Sequence, residues 1–230
     1  MGIMKKIFIV HGWTYTTEKW SELSSLLSMS GYEIVSLTVP GLTEKTDKVW
    51  TLDMYVEWLH EKISHEEDPI LIGHSNGGRI ALAYCAAHPH IISLLVLIGS
   101  AGIYHNELPI RIKRAVFGML AKIGKKLTSS DKMRNLLYKV ARVQDYNKAT
   151  PIMKETMHNL ITVDLTEKLE LVSTPTLLIW GEKDTATPLS DGLLIQKKIK
   201  NSKLYTIKDA GHSPHFTHAK EVAEQIIKEL

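Results

Sequence analysis

The chain has 230 residues, of which 44% are hydrophobic, so it is long enough to build one full-sized core. Its net charge of +3 is too small to make nucleic acid the expected partner. No stretch approaches the roughly 18 apolar residues that a membrane span needs, and the first apolar run is too short for a signal peptide. The single cysteine, Cys85, excludes an internal disulfide framework. These features predict a cytoplasmic protein without a membrane span, in which Cys85 is a small buried hydrophobe.

Short apolar runs alternate along the chain with segments of helical length. The runs of strand length lie at 7–10, 33–39, 70–73, 93–98, 176–180 and 203–207. The segments of helical length lie at 19–30, 51–64, 77–87, 189–200 and 221–230. Several of the runs are continuously apolar, which is typical of parallel strands buried on both faces. The alternation predicts an α/β fold with a doubly wound, mostly parallel sheet of about six strands.

The alternation stops once, in the middle of the chain. From about residue 109 to 160 the sequence has helical patterns and no strand pattern. The clearest helical patterns lie at 111–127 and 132–143. We therefore predict a helical lid at residues 101–165, inserted into a core formed by residues 1–100 and 166–230. Such a lid would cover the carboxyl ends of the strands, where ligands bind in open α/β sheets.

The predicted lid is strongly basic. Between Arg111 and Lys148 it carries eleven Lys and Arg residues against two acids, Asp131 and Asp145, a surplus of nine positive charges. A run of like charge is usually a solvated helix face. The functional alternative is electrostatic steering of an acidic substrate, or of an acidic carrier protein, toward the cleft. Both interpretations remain open from the sequence.

A glycine-rich turn places a serine where a nucleophile is expected. Gly73-x-Ser75-x-Gly77 follows an apolar strand and precedes a helical pattern. This is the context of the nucleophile elbow, a turn so tight that the neighbours of the nucleophile must be small. The turn points the hydroxyl toward the N-terminus of the next helix, where negative charge is favoured. The motif predicts that Ser75 is a nucleophile and not merely part of a strand-to-helix turn.

The first predicted strand ends in a second motif, His11-Gly12-Trp13. An enzyme of acyl transfer stabilises the oxyanion of its tetrahedral intermediate with preorganised donors. One donor is normally the N–H of the residue after the nucleophile, here Asn76. We expect the other to be the N–H of Trp13, because Gly12 lets the backbone approach Ser75 closely. His11 is interpreted as a structural residue that braces the loop.

A serine nucleophile needs a general base, and the base needs a carboxylate to orient it. Asp184 ends a Gly-x-x-Asp motif after an apolar strand, and His212 ends an Ala-Gly-His motif after the next strand. The carboxyl ends of successive parallel strands meet at one edge of a sheet, so both side chains should emerge on the same edge as Ser75. The sequence therefore predicts Asp184 as the acid and His212 as the base.

Other residues at these strand ends offer alternatives. Glu182 follows its strand too closely to reach far, and Asp209 is more typical of a turn. His212, His215 and His218 form an H-x-x-H-x-x-H run that resembles a set of metal ligands. Neither a carboxylate nor a cysteine completes that set, so no metal and no cofactor is predicted. His215 and His218 are expected to be exposed or to lie at the mouth of the site.

Taken together, the motifs resemble the α/β-hydrolase superfamily over nearly the whole chain, apart from the predicted lid. The motifs that carry the resemblance are His11-Gly12-Trp13, Val39-Pro40-Gly41, Gly73-His-Ser-Asn-Gly-Gly78, Trp180-Gly-Glu-Lys-Asp184 and Ala210-Gly-His212. The superfamily has its catalytic residues in the chain order Ser, acid, His, which here implies Ser75, Asp184 and His212. The fold carries many chemistries, so the resemblance does not determine the substrate.

Three features depart from the superfamily pattern. The chain opens directly on the strand with His-Gly-Trp, which implies that the family's first antiparallel strands are missing. Thr38 occupies a position where the family often has Asp, which should change the anchoring of a loop. Asn76 follows the nucleophile where Met, Leu or Gln is more usual, which puts a polar side chain near the oxyanion site.

The resemblance favours hydrolysis of a carboxylic ester or thioester. Dehalogenases and epoxide hydrolases of this fold need a carboxylate at the elbow, where this chain has Ser75. Relatives that act on ammonium substrates usually have acids in the lid, which this lid nearly lacks. The basic lid and the His-Gly-Trp motif are loosely similar to carboxylesterases that act on carrier-bound methyl esters. The expected substrate is a small, anionic ester, cleaved through an acyl-enzyme on Ser75.

Two alternatives stay open. Carbon–carbon bond hydrolases of dienoic acids share the fold and the catalytic residues, but they usually carry Asn where this chain has His74. Comparing an aryl ester with a ring-cleavage product separates these two activities. A ligand-binding receptor that retains the hydrolase residues is the alternative of another class. Slow single turnover with tight retention of the product would favour that receptor.

Overall fold

Six strands form one parallel sheet in the computed structural model, which describes residues 4–105 and 149–230. The strands are β1 (Lys6–Val10), β2 (Glu33–Ser36), β3 (Ile70–His74), β4 (Leu94–Ile98), β5 (Thr176–Gly181) and β6 (Ser202–Ile207). Their order across the sheet is β2-β1-β3-β4-β5-β6, with every neighbouring pair parallel. The chain changes direction across the sheet between β1 and β3, the kind of switch point at which open α/β sheets bind ligands.

Helices cover both faces of the sheet. The described helices are α1 (Ser21–Met29), α2 (Leu52–Ile63), α3 (Asn76–Ala87), α4 (Pro151–Ile161), α5 (Leu189–Lys198), α6 (Pro214–Thr217) and α7 (Ala219–Glu229). Helices α2, α3 and α5 pack on one face, and α1 and α7 pack on the other. None of these helices is long and apolar enough to cross a membrane. The doubly wound parallel sheet that the sequence predicts is therefore confirmed.

The strands contribute alternate side chains to two separate cores. In β1, Phe8 and Val10 pack under α2 and α3, whereas Ile7 and Ile9 pack under α1 and α7. This alternation follows from the two-residue repeat of a strand. Because both faces are covered, β1, β3 and β4 are buried along nearly their whole length and have almost no polar side chains. Cys85 lies in the first core, where burial raises the pKa of its thiol to about 12.

Several predicted elements end earlier than their apolar patterns suggest. The strand expected at 33–39 stops at Ser36, because the chain turns and the Val39 carbonyl accepts hydrogen bonds from the amides of residues 42–44. The helix expected from residue 19 begins as α1 at Ser21, after a short 3₁₀ helix at Glu18–Trp20. These differences arise because apolar patterns report burial, which continues past the ends of regular hydrogen bonding.

Helix α4 belongs to the predicted insertion and packs directly against the core. The hydroxyl of Thr150 caps its N-terminus by accepting from the Met153 amide at 3.2 Å. Met153 and Leu160 are buried in the same core as α2 and α3. The helices predicted at 111–127 and 132–143, and with them the basic surplus, lie outside the described residues. The division of the chain into core and lid stays a prediction.

Candidate active site

Ser75 lies at the junction of β3 and α3 in a strained backbone conformation. Its φ of 53° and ψ of −117° are rarely adopted by residues other than glycine. The Ser75 amide donates to the Ile98 carbonyl at 3.2 Å, and the Ser75 carbonyl accepts from the amides of Ala101 and Arg79 at 2.9 and 3.1 Å. The end of β4 and the first turn of α3 therefore hold the strained residue in place.

Glycines make the close packing around Ser75 possible. A Cβ on Gly77 would overlap the Val10 carbonyl oxygen and lie 2.6 Å from that of His11. A Cβ on Gly12 would lie 3.0 Å from the Cβ of Ser75. The loop after β1 thus lies directly against the elbow, as the sequence predicts for Gly12.

Replacing Gly77 with alanine is expected to destabilise the fold by about 3 kcal/mol or more, because rigid backbone would have to move to make room. Urea unfolding monitored by circular dichroism measures this change through the transition midpoint. Gly211→Ala is the matched control, because a Cβ at Gly211 meets no atom within 4 Å. Equal midpoints for the two variants would contradict the close packing at Gly77.

A chain of hydrogen bonds joins Ser75, His212 and Asp184. The Nε2 atom of His212 lies 2.9 Å from the Ser75 Oγ, and its Nδ1 atom lies 2.8 Å from the Asp184 Oδ2. His212 and Asp184 follow β6 and β5 respectively, so three strand ends bring these side chains together. A hydroxyl, an imidazole and a carboxylate in this order can activate the hydroxyl for nucleophilic attack.

The Asp184 side chain is fully buried, and its carboxylate accepts several hydrogen bonds. Its Oδ1 atom accepts from the amides of Ala186 and Thr187 at 2.8 and 3.1 Å, and its Oδ2 atom accepts from the Thr187 hydroxyl at 2.9 Å. Burial acts to raise the pKa of Asp184, but the hydrogen bond and charge of His212 and the two amides outweigh it, and the pKa is lowered. The buried carboxylate is therefore ionised at neutral pH and can orient an imidazole.

Thr187 is a part of this arrangement that the sequence does not reveal. Its hydroxyl lies 3.0 Å from the Gly99 carbonyl and 3.2 Å from the His212 Nδ1, besides its bond to Asp184. A threonine three residues after an acid is common in turns, so its spacing carries no specific signal. Its position links the ends of β4, β5 and β6 around the imidazole.

The competing carboxylates lie elsewhere. Glu182 accepts a hydrogen bond from the Asp209 amide at 3.1 Å, and Asp209 forms an exposed ion pair with Lys183. Asp209 has a φ of 60°, in agreement with its interpretation as a turn residue. Of the three carboxylates considered from the sequence, the structure brings Asp184 to His212.

His11 braces the loop after β1, as predicted. Its Nδ1 lies 2.8 Å from the Gly12 carbonyl, and its Nε2 lies 2.8 Å from the Thr43 hydroxyl. Burial lowers the pKa of His11, so the ring is neutral at pH 7. The Thr43 hydroxyl also accepts from the Val39 amide at 2.9 Å, which ties this loop to the turn after β2.

His74, the residue before Ser75, supports the backbone of the candidate site. Its Nε2 lies 2.8 Å from the carbonyl of His212. Because the ring is buried, and because His215 and His212 lie close to it, the pKa of His74 is held well below its ordinary value. A neutral His74 can therefore donate to this carbonyl and hold the loop that carries His212.

Of the two positions expected for His215, exposed or at the mouth of the site, the structure excludes the first and places the residue in the wall of the cavity beside Ser75. Its ring is buried and stacks on Trp20, with ring centroids 4.2 Å apart and planes at 23°. Burial, His212 and Lys19 lower the pKa of His215 to about 3, so the ring is neutral at pH 7. His218 is half-buried, and its Nδ1 lies 2.8 Å from the Thr217 hydroxyl. In the parts of the chain described, no group of three or more His, Cys, Asp or Glu side chains is placed to hold a metal ion.

Arg79 connects α3 to the end of α4 and has no counterpart in the sequence motifs. Its buried guanidinium donates from Nη1 to the carbonyls of Leu160 and Val163 at 2.6 and 2.7 Å. Burial lowers the pKa of Arg79 to about 10, although the charge of Asp164 acts against this. Arg79 therefore remains charged at neutral pH and anchors the described end of the predicted lid to the helix that follows Ser75.

The two predicted oxyanion donors belong to the two segments that meet at Ser75, the start of α3 and the loop after β1. Asn76 is the first residue of α3, where backbone N–H groups have no partner within the helix. Trp13 follows Gly12 in the loop after β1 and lines the same cavity as Ser75. The helix dipole at the start of α3 adds to the preference for negative charge at this point.

A cavity of about 270 Å³ opens beside Ser75. It lies between the loop after β1 and the segment that carries His212 and α6. Its lining residues are Gly12, Trp13, Thr14, Thr16, Lys19, Trp20, His74, Ser75, His212, Ser213 and His215. The catalytic hydroxyl and imidazole candidates thus face a space large enough for part of a small substrate.

The family model described as alpha/beta hydrolase fold matches residues 6–219. This match covers most of the chain, and the chain belongs to that family. The sheet and the Ser75, His212 and Asp184 geometry agree with the assignment. Among solved structures, an esterase from Exiguobacterium antarcticum has a TM-score of 0.75 at 18% identity, covering 100% of this chain and 92% of its own. That likeness concerns the fold alone.

Three curated relatives are informative about chemistry. An uncharacterised hydrolase, YugF, from Bacillus subtilis is 27% identical, covering 88% of this chain and 81% of its own. Human monoacylglycerol lipase ABHD6 is 23% identical, covering 98% of this chain and 75% of its own. A pimeloyl-[acyl-carrier protein] methyl ester esterase from Neisseria meningitidis serogroup C is 22% identical, covering 96% of this chain and 91% of its own. At the level of the family, these relatives support an ester hydrolase.

Proposed function

We propose that this protein is a serine hydrolase that cleaves a carboxylic ester or thioester through an acyl-enzyme on Ser75. The observation that carries the proposal is the hydrogen-bonded chain from the Ser75 Oγ through His212 to the buried Asp184, with distances of 2.9 and 2.8 Å. In this order the carboxylate fixes the tautomer of the imidazole, and the imidazole can take the proton of the hydroxyl.

In the first half of the reaction, the Ser75 Oγ attacks the carbonyl carbon of the ester while its proton moves to the Nε2 of His212. The carbonyl oxygen becomes an oxyanion, which the N–H groups of Trp13 and Asn76 stabilise. His212 then gives the proton to the leaving alcohol or thiol, and the acyl group stays on Ser75. Asp184 remains ionised throughout and stabilises the imidazolium.

In the second half, a water molecule takes the place of the alcohol. His212 removes its proton, the resulting hydroxide attacks the acyl carbon, and the Ser75 Oγ leaves with the proton returned by His212. The products are a carboxylic acid and the free enzyme. These steps require no metal ion and no cofactor.

Two observations support an anionic substrate or an acidic carrier protein that presents it. One relative acts, by its name, on pimeloyl-[acyl-carrier protein] methyl ester. Segment 111–148 of this chain has a surplus of nine positive charges, which would attract an acidic carrier protein or a free anionic ester. We therefore propose an anionic ester as the substrate, presented free or on an acidic carrier.

A series of 4-nitrophenyl esters with acyl chains of increasing length tests the proposed chemistry. We expect turnover of at least one member, with loss of turnover in Ser75→Ala. A dienoic ring-cleavage product is the comparison substrate. Faster turnover of that compound than of every ester would favour carbon–carbon bond hydrolysis. A single slow turnover with retained product would favour a receptor.

Electrostatic steering is tested by raising the salt concentration. For a steered anionic ester, kcat/KM should fall severalfold between about 0.01 and 0.15 M ionic strength, because the Debye length shrinks from roughly 30 to 8 Å. A neutral ester with the same acyl group is the control. If both esters respond equally to salt, the basic segment does not steer the substrate.

A further inference from the structure

Among the described residues, the wall of the cavity beside Ser75 has a positively charged side chain and no negatively charged one. Among its eleven lining residues are one lysine, Lys19, and no carboxylate. His74 and His215 also line it, and their lowered pKa values keep both rings neutral at pH 7. Lys19 is therefore the fixed charge of the cavity wall in the part of the chain that the structure describes.

The Lys19 side chain is free to meet a ligand. It is exposed, and its Nζ lies 5.5 Å from the centroid of the Phe216 ring, within the range of a cation–π contact. Within residues 4–105 and 149–230, no carboxylate forms a salt bridge with it. Its charge also reaches the cavity, since it contributes to the lowered pKa of His215.

The imidazole of His212 lines the cavity, and the leaving group of the proposed reaction must lie next to that imidazole. In the proposed reaction His212 gives its proton to the leaving oxygen or sulfur, so that atom must lie close to the imidazole. His212, Ser213 and His215 lie within four consecutive positions of the chain and line the cavity. A leaving group next to His212 therefore extends into the cavity that Lys19 borders.

We propose that this cavity binds the leaving group of the substrate and that Lys19 selects a leaving group with a negative charge. The inference rests on the proposed function, and it adds the position of the charge: on the alcohol or thiol and not on the acyl chain. The volume of about 270 Å³ equals that of about nine water molecules, enough for a small alcohol with one anionic group.

Three esters test the position of the charge. They are 4-nitrophenyl acetate, which is neutral, 4-acetoxybenzoate, which is charged on the leaving group, and 4-nitrophenyl hydrogen glutarate, which is charged on the acyl group. Each ester is compared only between variants, so its intrinsic reactivity cancels. We expect Lys19→Gln to lower kcat/KM for 4-acetoxybenzoate about fivefold more than for either other ester, as the loss of one partly exposed charge contact predicts. Lys19→Glu should enlarge this difference.

Lys228→Gln is the matched control, because it makes the same change of charge at an exposed position near the end of α7. It should leave all three rates unchanged. An equal effect of Lys19→Gln on the three esters, or a larger effect on the glutarate ester, would overturn the inference. If the wild-type protein hydrolyses none of the esters, the proposed function fails instead, so the two failures are distinguishable.

Discussion

Replacing Ser75 with alanine is expected to lower kcat for ester hydrolysis by about 10⁴-fold or more. The variant loses the Oγ that lies 2.9 Å from the His212 Nε2, and with it the atom that would carry the acyl group. His212→Ala should have an effect of similar size, because residues that act as one unit are not additive. The double variant is therefore expected to be little slower than either single variant.

Initial-rate measurements on the best 4-nitrophenyl ester check this prediction. Ser25→Ala is the control, because Ser25 is an exposed residue of α1, and it should retain the wild-type rate. Thermal unfolding of Ser75→Ala should remain close to that of the wild type, since the backbone contacts of the elbow are unchanged. Near-normal turnover by Ser75→Ala would contradict the whole mechanism.

Asp184→Asn should lower kcat by roughly 10³- to 10⁴-fold, the range found when the carboxylate of such a group becomes an amide. An amide at this position cannot satisfy the two backbone donors, the Thr187 hydroxyl and the His212 Nδ1–H as a carboxylate does. The imidazole would then favour the wrong tautomer, with a proton on the nitrogen that faces Ser75.

Asp209→Asn is the matched control for this substitution. Asp209 is exposed, pairs with Lys183 and has a positive φ that asparagine also tolerates. Its kcat should lie within about twofold of the wild type, as for surface changes that leave a site intact. A larger loss of kcat in Asp209→Asn than in Asp184→Asn would show that Asp184 is not the acid and that the acid lies at a different strand end.

The fold was predictable because burial leaves a direct trace in the sequence. A strand covered on both faces needs apolar side chains along most of its length, and β1, β3 and β4 have them, with Lys6 and His74 at strand ends as the exceptions. The ends of elements were less predictable, because Val39 is buried in the core although its backbone has left β2. Burial is visible in the residue type, whereas the end of hydrogen bonding is not.

The contact between Ser75, His212 and Asp184 was predictable for a different reason. Each residue directly follows a parallel strand, and parallel strands end at a common edge. Chain order and strand position were therefore enough to bring Ser75 together with two residues that are more than 100 positions away in the sequence, as its 2.9 Å contact with His212 demonstrates. The glycine at position 77 was predictable too, because only glycine fits against the backbone of β1.

The surroundings of the site were not predictable, because they depend on side chains meeting across unrelated segments. His215 is buried against Trp20, nearly 200 residues earlier, which provides a surface for its ring. Arg79 is buried because two carbonyls at the end of α4 receive its guanidinium. In both cases the contacting residues lie in distant segments with no characteristic spacing between them, so no sequence pattern predicts the contact.

Covalent labelling with a fluorophosphonate tests the central claim most directly, since these probes phosphonylate an activated serine with loss of fluoride. After digestion, mass spectrometry locates the label. We expect one label on the wild-type protein, on the peptide that contains Ser75, slower labelling of Asp184→Asn and none of Ser75→Ala. Labelling of Ser75→Ala at the wild-type rate, or a label on another residue of the wild-type protein, would contradict the assignment of Ser75 as the nucleophile.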